Sequence, residues 1–161
     1  MKFRLGIRFI TAAGDNTARR KLAATAEEAG LEPFSLRHFG SLVGPECEVG
    51  AGSCLAPNTV LTRSVSLGRH CIVNVGTTIS HDCVIGDFVN LNPGVTVCGD
   101  VEIGEDCYIG AGATIIDKVS IGVNTVVGAG AVVIDTLPSG VLAVGVPARV
   151  VRELYPKPRL V

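Results

Sequence analysis

The sequence predicts an all-β fold, a triangular prism of stacked coils, and two periodic features support this prediction. An aliphatic residue recurs at every sixth position without an insertion: Val, Leu or Ile stands at 43, 49, 55, 61, 67, 73, 79, 85, 91, 97, 103, 109, 115, 121, 127 and 133. A mostly small residue stands two places before each of them, so both face inward from one short strand. One strand and one turn per six residues, three to a coil, give a little over five coils stacked at about 4.8 Å.

Glycine frequently follows the aliphatic residue. The glycines in question are Gly44, Gly50, Gly68, Gly86, Gly104, Gly110, Gly122 and Gly128. We expect them to occupy tight corners that need unusual backbone dihedral angles. The GAG stretches at 50, 110 and 128 are interpreted as corners and not as phosphate-binding loops, because no helix follows them.

Residues 1–40 have a different pattern. FRLGIRFI alternates like a strand, Asp15 can cap a helix that runs to Gly30, and EPFSLRH can form a second strand. This predicts one βαβ unit at residues 1–40, followed by a β-helix domain at residues 41–137. LPSG then breaks the repeat, and residues 138–161 form a C-terminal extension.

Composition excludes several classes of protein. The 161 residues suit one compact domain, and a net charge of −1 does not favour binding to nucleic acid or to a membrane surface. Mean hydropathy is +0.45, yet no apolar run is long enough to span a bilayer. The N-terminus alternates charged and apolar residues, unlike a signal peptide, so we expect a cytoplasmic protein.

The cysteine pattern favours neither disulfides nor a metal site. There are six cysteines and no CxxC pair. Four of them, Cys47, Cys71, Cys83 and Cys107, occupy the inward position before the aliphatic residue, where a thiol packs as a small hydrophobe. Only Cys54 and Cys98 fall outside that register, and we expect structural or incidental roles for all six.

The stretch ISHDCVIGDFVNLNPGVTVCGDVEIG resembles the NeuD-like bacterial sugar acetyltransferases of the sialic acid and bacillosamine pathways. The resemblance covers about residues 9–152, including FITAAGDNTARRKL and GVLAVGVPARVV. It implies a left-handed parallel β-helix that works as a homotrimer. It further implies that residues 1–40 are a truncated Rossmann-like unit, that residues 41–137 form the catalytic domain and that residues 138–161 lie on the CoA side. It also implies that acetyl-CoA, the acyl donor, lies in the cleft between two neighbouring prisms, where the active site is formed.

The resemblance assigns the catalytic residues. His81 matches the family's general base, and Asp82 orients it. Attack on a thioester by an amine or hydroxyl requires loss of a proton, which imidazole accepts near neutral pH, and a carboxylate on the other ring nitrogen fixes the tautomer. Gly99, eighteen residues after His81, matches the residue whose backbone N–H stabilises the oxyanion.

The resemblance also implies cofactor contacts. The family's ending G-x-P-A-[KR] corresponds to Gly145, Val146, Pro147 and Arg149, which adjoin the adenine and phosphates of CoA in relatives, and Gly128 is assigned to the same surface. A positive balance at the C-terminal end, from Arg149 with Arg152, Lys157 and Arg159, is consistent with phosphate binding.

Other polar residues receive weaker assignments. Asn90 stands where some relatives carry a second His; an amide cannot exchange protons at neutral pH, so we expect contact with the acceptor and not catalysis. Asn74 and Asn92 are predicted to stack as a structural amide ladder. His70 is expected to be solvated, and His38 to close the small N-terminal unit. Two His on the prism argue against the zinc-dependent carbonic anhydrases of this fold, which need three.

Three functions remain open. The first is acetyl transfer to an amino or hydroxyl group of an amino sugar, nucleotide sugar or sialic-acid-like acceptor. The glycine-rich turn that holds the nucleotide in relatives is missing, which favours a second possibility, a catalytically silent trimeric scaffold or regulatory subunit. Retention of His81, Asp82 and Gly99 argues against it. The third is acetyl transfer to an unrelated small acceptor, such as an amino acid or antibiotic.

Overall fold

The computed structural model describes residues 6–154, most of which form a parallel β-helix. Seventeen two-residue strands follow one another at intervals of six residues, from Leu36–Arg37 to Val132–Val133. From Leu36–Arg37 to Thr114–Ile115, each strand pairs in parallel with the strand eighteen residues further along, as Asn90 pairs with Tyr108. Three strands therefore make one coil, which confirms the predicted period and the triangular section.

The strands form three sheets, one on each side of the prism. The six-stranded sheet consists of Leu42–Val43, Val60–Leu61, Thr78–Ile79, Thr96–Val97, Thr114–Ile115 and Val132–Val133. The five-stranded sheet consists of Glu48–Val49, Ser66–Leu67, Val84–Ile85, Glu102–Ile103 and Ser120–Ile121. The eight-stranded sheet consists of Leu36–Arg37, Cys54–Leu55, Ile72–Val73, Asn90–Leu91, Tyr108–Ile109, Val126–Val127, Val141–Val144 and Arg149–Glu153.

The core is the interior of the prism, filled by the two inward positions of each repeat. From Leu55 onward the aliphatic residues of the period are buried, and so are the residues two places before them, among them Ser53, Thr59 and Thr77. Ser53 and Thr77 donate hydrogen bonds to backbone carbonyls of the next coil, which satisfies their buried hydroxyls. The prediction of two inward positions is confirmed.

The buried thiols belong to this core. Cys71, Cys83 and Cys107 each donate a hydrogen bond to a carbonyl of the next coil, with sulfur–oxygen distances of 3.0–3.1 Å. Burial raises the pKa of Cys71 and Cys107 to about 12. All six cysteines are free.

The corner glycines differ from the prediction. The positive-φ position of each corner lies three residues after the aliphatic residue and is occupied by residues such as Asn58, His70, Asp82 and Lys118. Gly86 and its equivalents, one place after the aliphatic residue, are not among the positive-φ residues. Those glycines are needed for another reason. A Cβ on Gly86 would lie 2.6 Å from the backbone nitrogen of Glu105 in the next coil. Close approach of neighbouring coils therefore excludes a side chain there.

The N-terminal unit is a small βαβ arrangement. Strands Arg8–Phe9 and Glu32–Pro33 pair in parallel, joined through the helix Asn16–Glu28. Asp15 caps the helix as predicted, accepting a 2.7 Å hydrogen bond from the N–H of Ala18. The segment predicted as one second strand is two strands. Glu32–Pro33 stays with the unit, whereas Leu36–Arg37 is already the first strand of the β-helix.

The helix packs on the corner between the five-stranded and eight-stranded sheets, which we call the docking corner. His70 lies on this corner and is buried, so the expectation that it is solvated was wrong. Its ring stacks on Phe88 at 4.9 Å between centroids, and its Nε2 lies 3.2 Å from Glu27 of the helix. Arg20, also on the helix, lies over the Phe88 ring and pairs with Asp106. His38 forms part of the first coil, where its Nδ1 accepts from the N–H of Gly40.

The C-terminal end continues the stacking beyond residue 133. Leu137 bridges to Ile121 of the five-stranded sheet, and Val141–Val144 stacks on Val126–Val127. Arg149–Glu153 then returns antiparallel to Val141–Val144. None of the helices in the described part of the chain has the length and apolarity required to cross a membrane.

Candidate active site

His81 and Asp82 form a hydrogen-bonded pair at the corner between the six-stranded and five-stranded sheets, which we call the His81 corner. The His81 Nδ1 lies 2.9 Å from the Asp82 carboxylate, and both side chains are more than half exposed. A carboxylate only accepts, so Nδ1 donates and carries the proton of the neutral ring. The Nε2 is left with its lone pair, as a general base requires.

Gly99 lies directly above His81, one coil further along. A Cβ on Gly99 would lie 2.5 Å from the His81 Cε1 and 2.7 Å from its Nε2. The imidazole therefore rests against the backbone of Gly99, and only glycine leaves room for it. The Gly99 carbonyl accepts from the N–H of Lys118, whereas its own N–H has no partner within residues 6–154. Gly99 itself is buried, with the His81 imidazole against it.

The C-terminal segment reaches the same corner. Residues 81, 99, 117 and 135 are corresponding turn positions, one coil apart, and the exposed guanidinium of Arg149 lies 3.5 Å from the Asp135 carboxylate. A basic side chain thus stands three coil spacings, roughly 14 Å, from His81 along the corner. This arrangement suits a long extended ligand with an anionic end.

The residues predicted to bind the cofactor surround that end of the prism. The Gly145 carbonyl accepts from the N–H of Val132, and the segment with Val146 and Pro147 then crosses the last strand of the six-stranded sheet. Val146 is 73% exposed. Gly128 packs under Val144, because a Cβ on Gly128 would lie 2.7 Å from the Val144 side chain. Lys157 and Arg159, also considered for phosphate binding, lie outside the described residues.

A groove lies between the N-terminal unit and the eight-stranded sheet. One part of it, with a volume of about 470 Å³, is lined by Ala12, Gly14, Asp15, Ile72, Asn74, Asn90, Asn92 and Tyr108. A second part of about 310 Å³ continues past Tyr108 to Asn16, Thr17, Arg20 and Asn124. We call the two parts together the polar groove. Several amides and the partly exposed phenol ring of Tyr108 are well suited to binding a polyhydroxylated molecule.

Asn90 lies at the base of the polar groove. Its Nδ2 donates a 2.9 Å hydrogen bond to the Gly14 carbonyl, whereas its buried Oδ1 has no partner among the described residues. An orphaned buried acceptor is costly, so the Asn90 Oδ1 is a candidate for binding a ligand donor.

The predicted amide ladder of Asn74 and Asn92 does not form. The Asn74 Oδ1 accepts from the N–H of Val75, and the Asn92 Nδ2 donates to the Ile109 carbonyl at 2.7 Å. The Tyr108 hydroxyl lies 3.3 Å from the Asn92 Oδ1. All three side chains line the polar groove instead.

Sequence reasoning missed Tyr108 as a candidate site residue, although a signal for it was present. Tyr108 follows Asn90 by eighteen residues and is its direct partner in the eight-stranded sheet. The same coil spacing that connects His81 to Gly99 could have connected these two. Arg19 and Asn16 were also missed, because their proximity to the groove depends on how the helix docks.

The two sites lie on opposite sides of one prism. His81 belongs to the corner opposite the eight-stranded sheet, and the polar groove lies on that sheet. One chain by itself therefore does not bring its own His81 to its own Asn90. Within residues 6–154, the structure has no group of three His, Cys, Asp or Glu residues arranged to hold a metal ion.

The chain matches the bacterial transferase hexapeptide family (six repeats) at residues 82–117 and 100–135. It is 32% identical over 81 residues to GDP-perosamine N-acetyltransferase from Escherichia coli O157:H7, a match that spans 50% of this chain and 37% of that protein.

Solved structures agree over a larger part of the molecule. WeeI from Acinetobacter baumannii AYE has a TM-score of 0.85 at 36% identity, covering 88% of this chain and 69% of that one. A mutant of GDP-perosamine N-acetyl transferase from Caulobacter crescentus, in complex with CoA and GDP-perosamine, has a TM-score of 0.88 at 35% identity, covering 89% and 69%. The acetyltransferase domain of PglB from Neisseria gonorrhoeae FA1090, in complex with acetyl coenzyme A, has a TM-score of 0.86 at 32% identity, covering 89% and 70%.

Fold and site together define a hexapeptide-repeat transferase built on a left-handed parallel β-helix. Two of the solved relatives are 35–36% identical to this chain, which covers 69% of each of them. This similarity identifies a particular family within the class. The chain belongs to the family of bacterial sugar N-acetyltransferases, which confirms the resemblance seen in the sequence.

Proposed function

We propose that this protein transfers an acetyl group from acetyl-CoA to the amino group of a sugar, with His81 as general base. The observation that carries the proposal is the His81–Asp82 pair resting against the Gly99 backbone. It supplies a base and a free N–H within one coil of each other. The relatives that are solved with CoA, acetyl-CoA or GDP-perosamine support both the donor and the class of acceptor.

The proposed reaction is a direct attack. The sugar amine adds to the thioester carbon while the His81 Nε2 removes a proton from the nitrogen. The carbonyl oxygen becomes an oxyanion, which accepts a hydrogen bond from the Gly99 N–H. Collapse of this intermediate breaks the carbon–sulfur bond, and the proton held by His81 passes to the departing thiolate of CoA. Asp82 stabilises the imidazolium between these steps.

The acetyl-CoA is proposed to lie along the His81 corner. Its thioester would lie beside Gly99, and its nucleotide end would meet Gly145, Val146, Pro147 and Arg149, with Gly128 supporting the segment from below. Arg149 is exposed and holds Asp135 only loosely, at 3.5 Å, so its guanidinium is free to bind phosphate.

The acceptor is proposed to bind in the polar groove, with Asn90 Oδ1 accepting a hydrogen bond from it. Because this groove and His81 lie on opposite sides of one prism, a complete site requires a neighbouring subunit. A homotrimer with cyclic symmetry supplies three such sites. The outward residues of the six-stranded sheet support packing between subunits, since none is charged: Leu42, Val60, Thr78, Thr96, Thr114 and Val132.

Six free cysteines favour a reducing compartment, consistent with the cytoplasm.

The test is His81→Ala, assayed by release of free CoA with a panel of amino sugars and nucleotide-linked amino sugars. We expect turnover to fall by about a thousandfold, since general-base catalysis contributes 10²–10⁴-fold. Affinity for acetyl-CoA, measured by calorimetry, should stay within about twofold of the wild-type value, because the imidazole binds no part of the nucleotide.

His38→Ala is the matched control, because it removes an imidazole from the first coil, away from both sites. It should retain wild-type turnover. Undiminished activity of His81→Ala would remove the base assignment. Wild-type protein that does not bind acetyl-CoA would instead support the scaffold function, and turnover only with amino acids or antibiotics would support the third function.

A further inference from the structure

Arg19 is the most deeply buried charged residue in the described part of the chain, with no exposed surface. It lies where the N-terminal helix meets the docking corner. Burial lowers the pKa of its guanidinium, although nearby Asp106 and Asp15 partly offset this effect. Its hydrogen bonds all go to neutral oxygens. Burying a cation without a salt-bridging carboxylate is costly, so its contacts call for an explanation.

On one side the guanidinium holds the β-helix. The Arg19 Nε donates to the His70 carbonyl at 2.9 Å, and one terminal nitrogen donates to the Phe88 carbonyl at 2.7 Å. These two carbonyls belong to consecutive coils at the docking corner. Both residues adopt positive φ angles, 54° and 58°.

On the other side the guanidinium holds the loop before the helix. The terminal nitrogens donate to the carbonyls of Ala13 at 2.9 Å and Gly14 at 3.4 Å, and to the Asn16 Oδ1 at 2.9 Å. This loop, residues 12–16, forms one wall of the polar groove. The planar guanidinium of Arg19, whose N–H donors have fixed directions, therefore connects the wall of the polar groove to two coils of the β-helix.

The connection continues to Asn90. The Gly14 carbonyl that Arg19 contacts also accepts from the Asn90 Nδ2 at 2.9 Å. That hydrogen bond sets the orientation of the Asn90 amide, and thus the direction in which its unpartnered Oδ1 points. Arg19 itself does not line the groove.

We infer that Arg19 is a positioning residue for the acceptor: its 2.9 Å hydrogen bonds to the Ala13 carbonyl and the Asn16 Oδ1 fix the segment that carries the Gly14 carbonyl, and thereby orient the Asn90 Oδ1 toward the acceptor. This inference rests on the proposed function. A purely structural Arg19 would affect only stability. A positioning Arg19 acts selectively on the acceptor, because the His81 corner, where acetyl-CoA is proposed to bind, lies on the far side of the prism.

The first variant is Arg19→Lys, which keeps the positive charge but replaces the planar guanidinium by a single ammonium group. We expect the KM for the acceptor to rise about tenfold while the KM for acetyl-CoA stays within about twofold, a split that shows loss of acceptor binding. The acceptor probe is GDP-perosamine, or the panel member with the highest turnover. Its affinity is also measured by calorimetry.

Arg69→Met is the matched control. Arg69 also ties the helix to the β-helix, through Glu27, but at the opposite end of the helix from Gly14. Its loss should leave the KM for the acceptor unchanged. An equal rise of the acceptor KM in Arg19→Lys and Arg69→Met would mean that acceptor binding depends on docking of the helix in general and not on Arg19 in particular. That result would overturn the inference.

A double-mutant cycle tests the route through Asn90. Asn90→Ala alone should raise the KM for the acceptor and not that for acetyl-CoA, and Arg19→Lys should add little in the Asn90→Ala background. Fully additive effects would overturn the inference. Asn90→Ala leaves the buried guanidinium untouched, so it tests the same contacts even if Arg19→Lys folds poorly.

The outcomes separate this inference from the proposed function. A wild-type protein that acetylates an acceptor, with Arg19→Lys showing only a lower Tm, overturns the positioning role and leaves the function intact. A wild-type protein that neither binds nor acetylates any acceptor overturns both.

Discussion

At the scale of single residues, the site depends on two residues eighteen apart that the coil brings into contact. His81 is suited to the proposed role of base because Asp82 accepts a hydrogen bond from its Nδ1–H, and the ring fits where it lies because Gly99 has no side chain. The same glycine leaves an N–H without a protein partner within residues 6–154. The missing Cβ of Gly99 therefore creates the space that the His81 imidazole occupies.

Gly99→Ala is expected to impair catalysis without unfolding the protein. The new Cβ would lie 2.5 Å from an exposed imidazole, which turns aside at little cost to stability. We expect kcat to fall by about 10–100-fold, because a displacement of about 1 Å in a catalytic group can cost that much. Steady-state kinetics with thermal unfolding in parallel provide the measurement. A kcat within twofold of the wild-type value would contradict the proposed geometry.

At the scale of elements, the coil spacing is maintained at the corners. Residues with positive φ turn the chain at each corner, and the preceding glycines let consecutive coils approach closely. The docking corner shows this most clearly, since Gly50, Gly68, Gly86, Gly104 and Gly122 form one uninterrupted column there. At the His81 corner, the equivalent column contains Ser80, Cys98 and Ile116, so the requirement for glycine differs between corners.

Gly86→Ala should therefore show the opposite behaviour to Gly99→Ala. Its Cβ would lie 2.6 Å from the Glu105 backbone nitrogen, and backbone cannot turn aside as a side chain can. We expect the free energy of unfolding to fall by about 1–3 kcal/mol, as for other overpacked sites, with kcat of the folded protein retained. Denaturant unfolding measures the first quantity and kinetics below Tm the second. An unchanged unfolding midpoint would show that the coils separate more easily than the structure implies.

At the scale of the whole molecule, the two proposed parts of the site lie on two sides of the prism. The base lies on the corner opposite the sheet that carries the polar groove. The proposed homotrimer resolves this separation, because the His81 of one subunit then faces the groove of the next. Activity becomes a property of the assembly, which a subunit-mixing experiment can measure.

Mixed trimers of His81→Ala and Tyr108→Arg subunits should recover activity that neither variant has alone. Tyr108 is partly exposed, so an arginine there would block the polar groove while keeping its charge in solvent. Random assembly at equal ratio pairs an intact base with an intact groove at about a quarter of the sites. The measurement is turnover after the two variants refold together.

Mixing His81→Ala subunits with subunits that carry both substitutions is the control. No combination of these two has an intact base, so no activity should return. If the His81→Ala and Tyr108→Arg mixture also stayed inactive, the site would not be shared between subunits in the proposed way.

The sequence by itself determined the period, the inward positions and the stacking of Gly99 on His81 one coil away. Each of these depends on residues within six to eighteen positions of one another, and a repeating coil converts that spacing directly into contact, as for His81 and Gly99. The helix capped by Asp15 was predictable for the same reason, because capping is a local interaction.

The tertiary structure alone decided which polar residues became buried and where the polar groove formed. His70 was expected in solvent and Arg19 was overlooked, because their burial results from contacts between the N-terminal helix and coils about 40 to 90 residues away. A hexapeptide repeat specifies the prism but carries no signal for what docks on its surface. The separation of the base from the groove likewise follows from the three-sided section of the coil, which becomes visible only once the chain is folded.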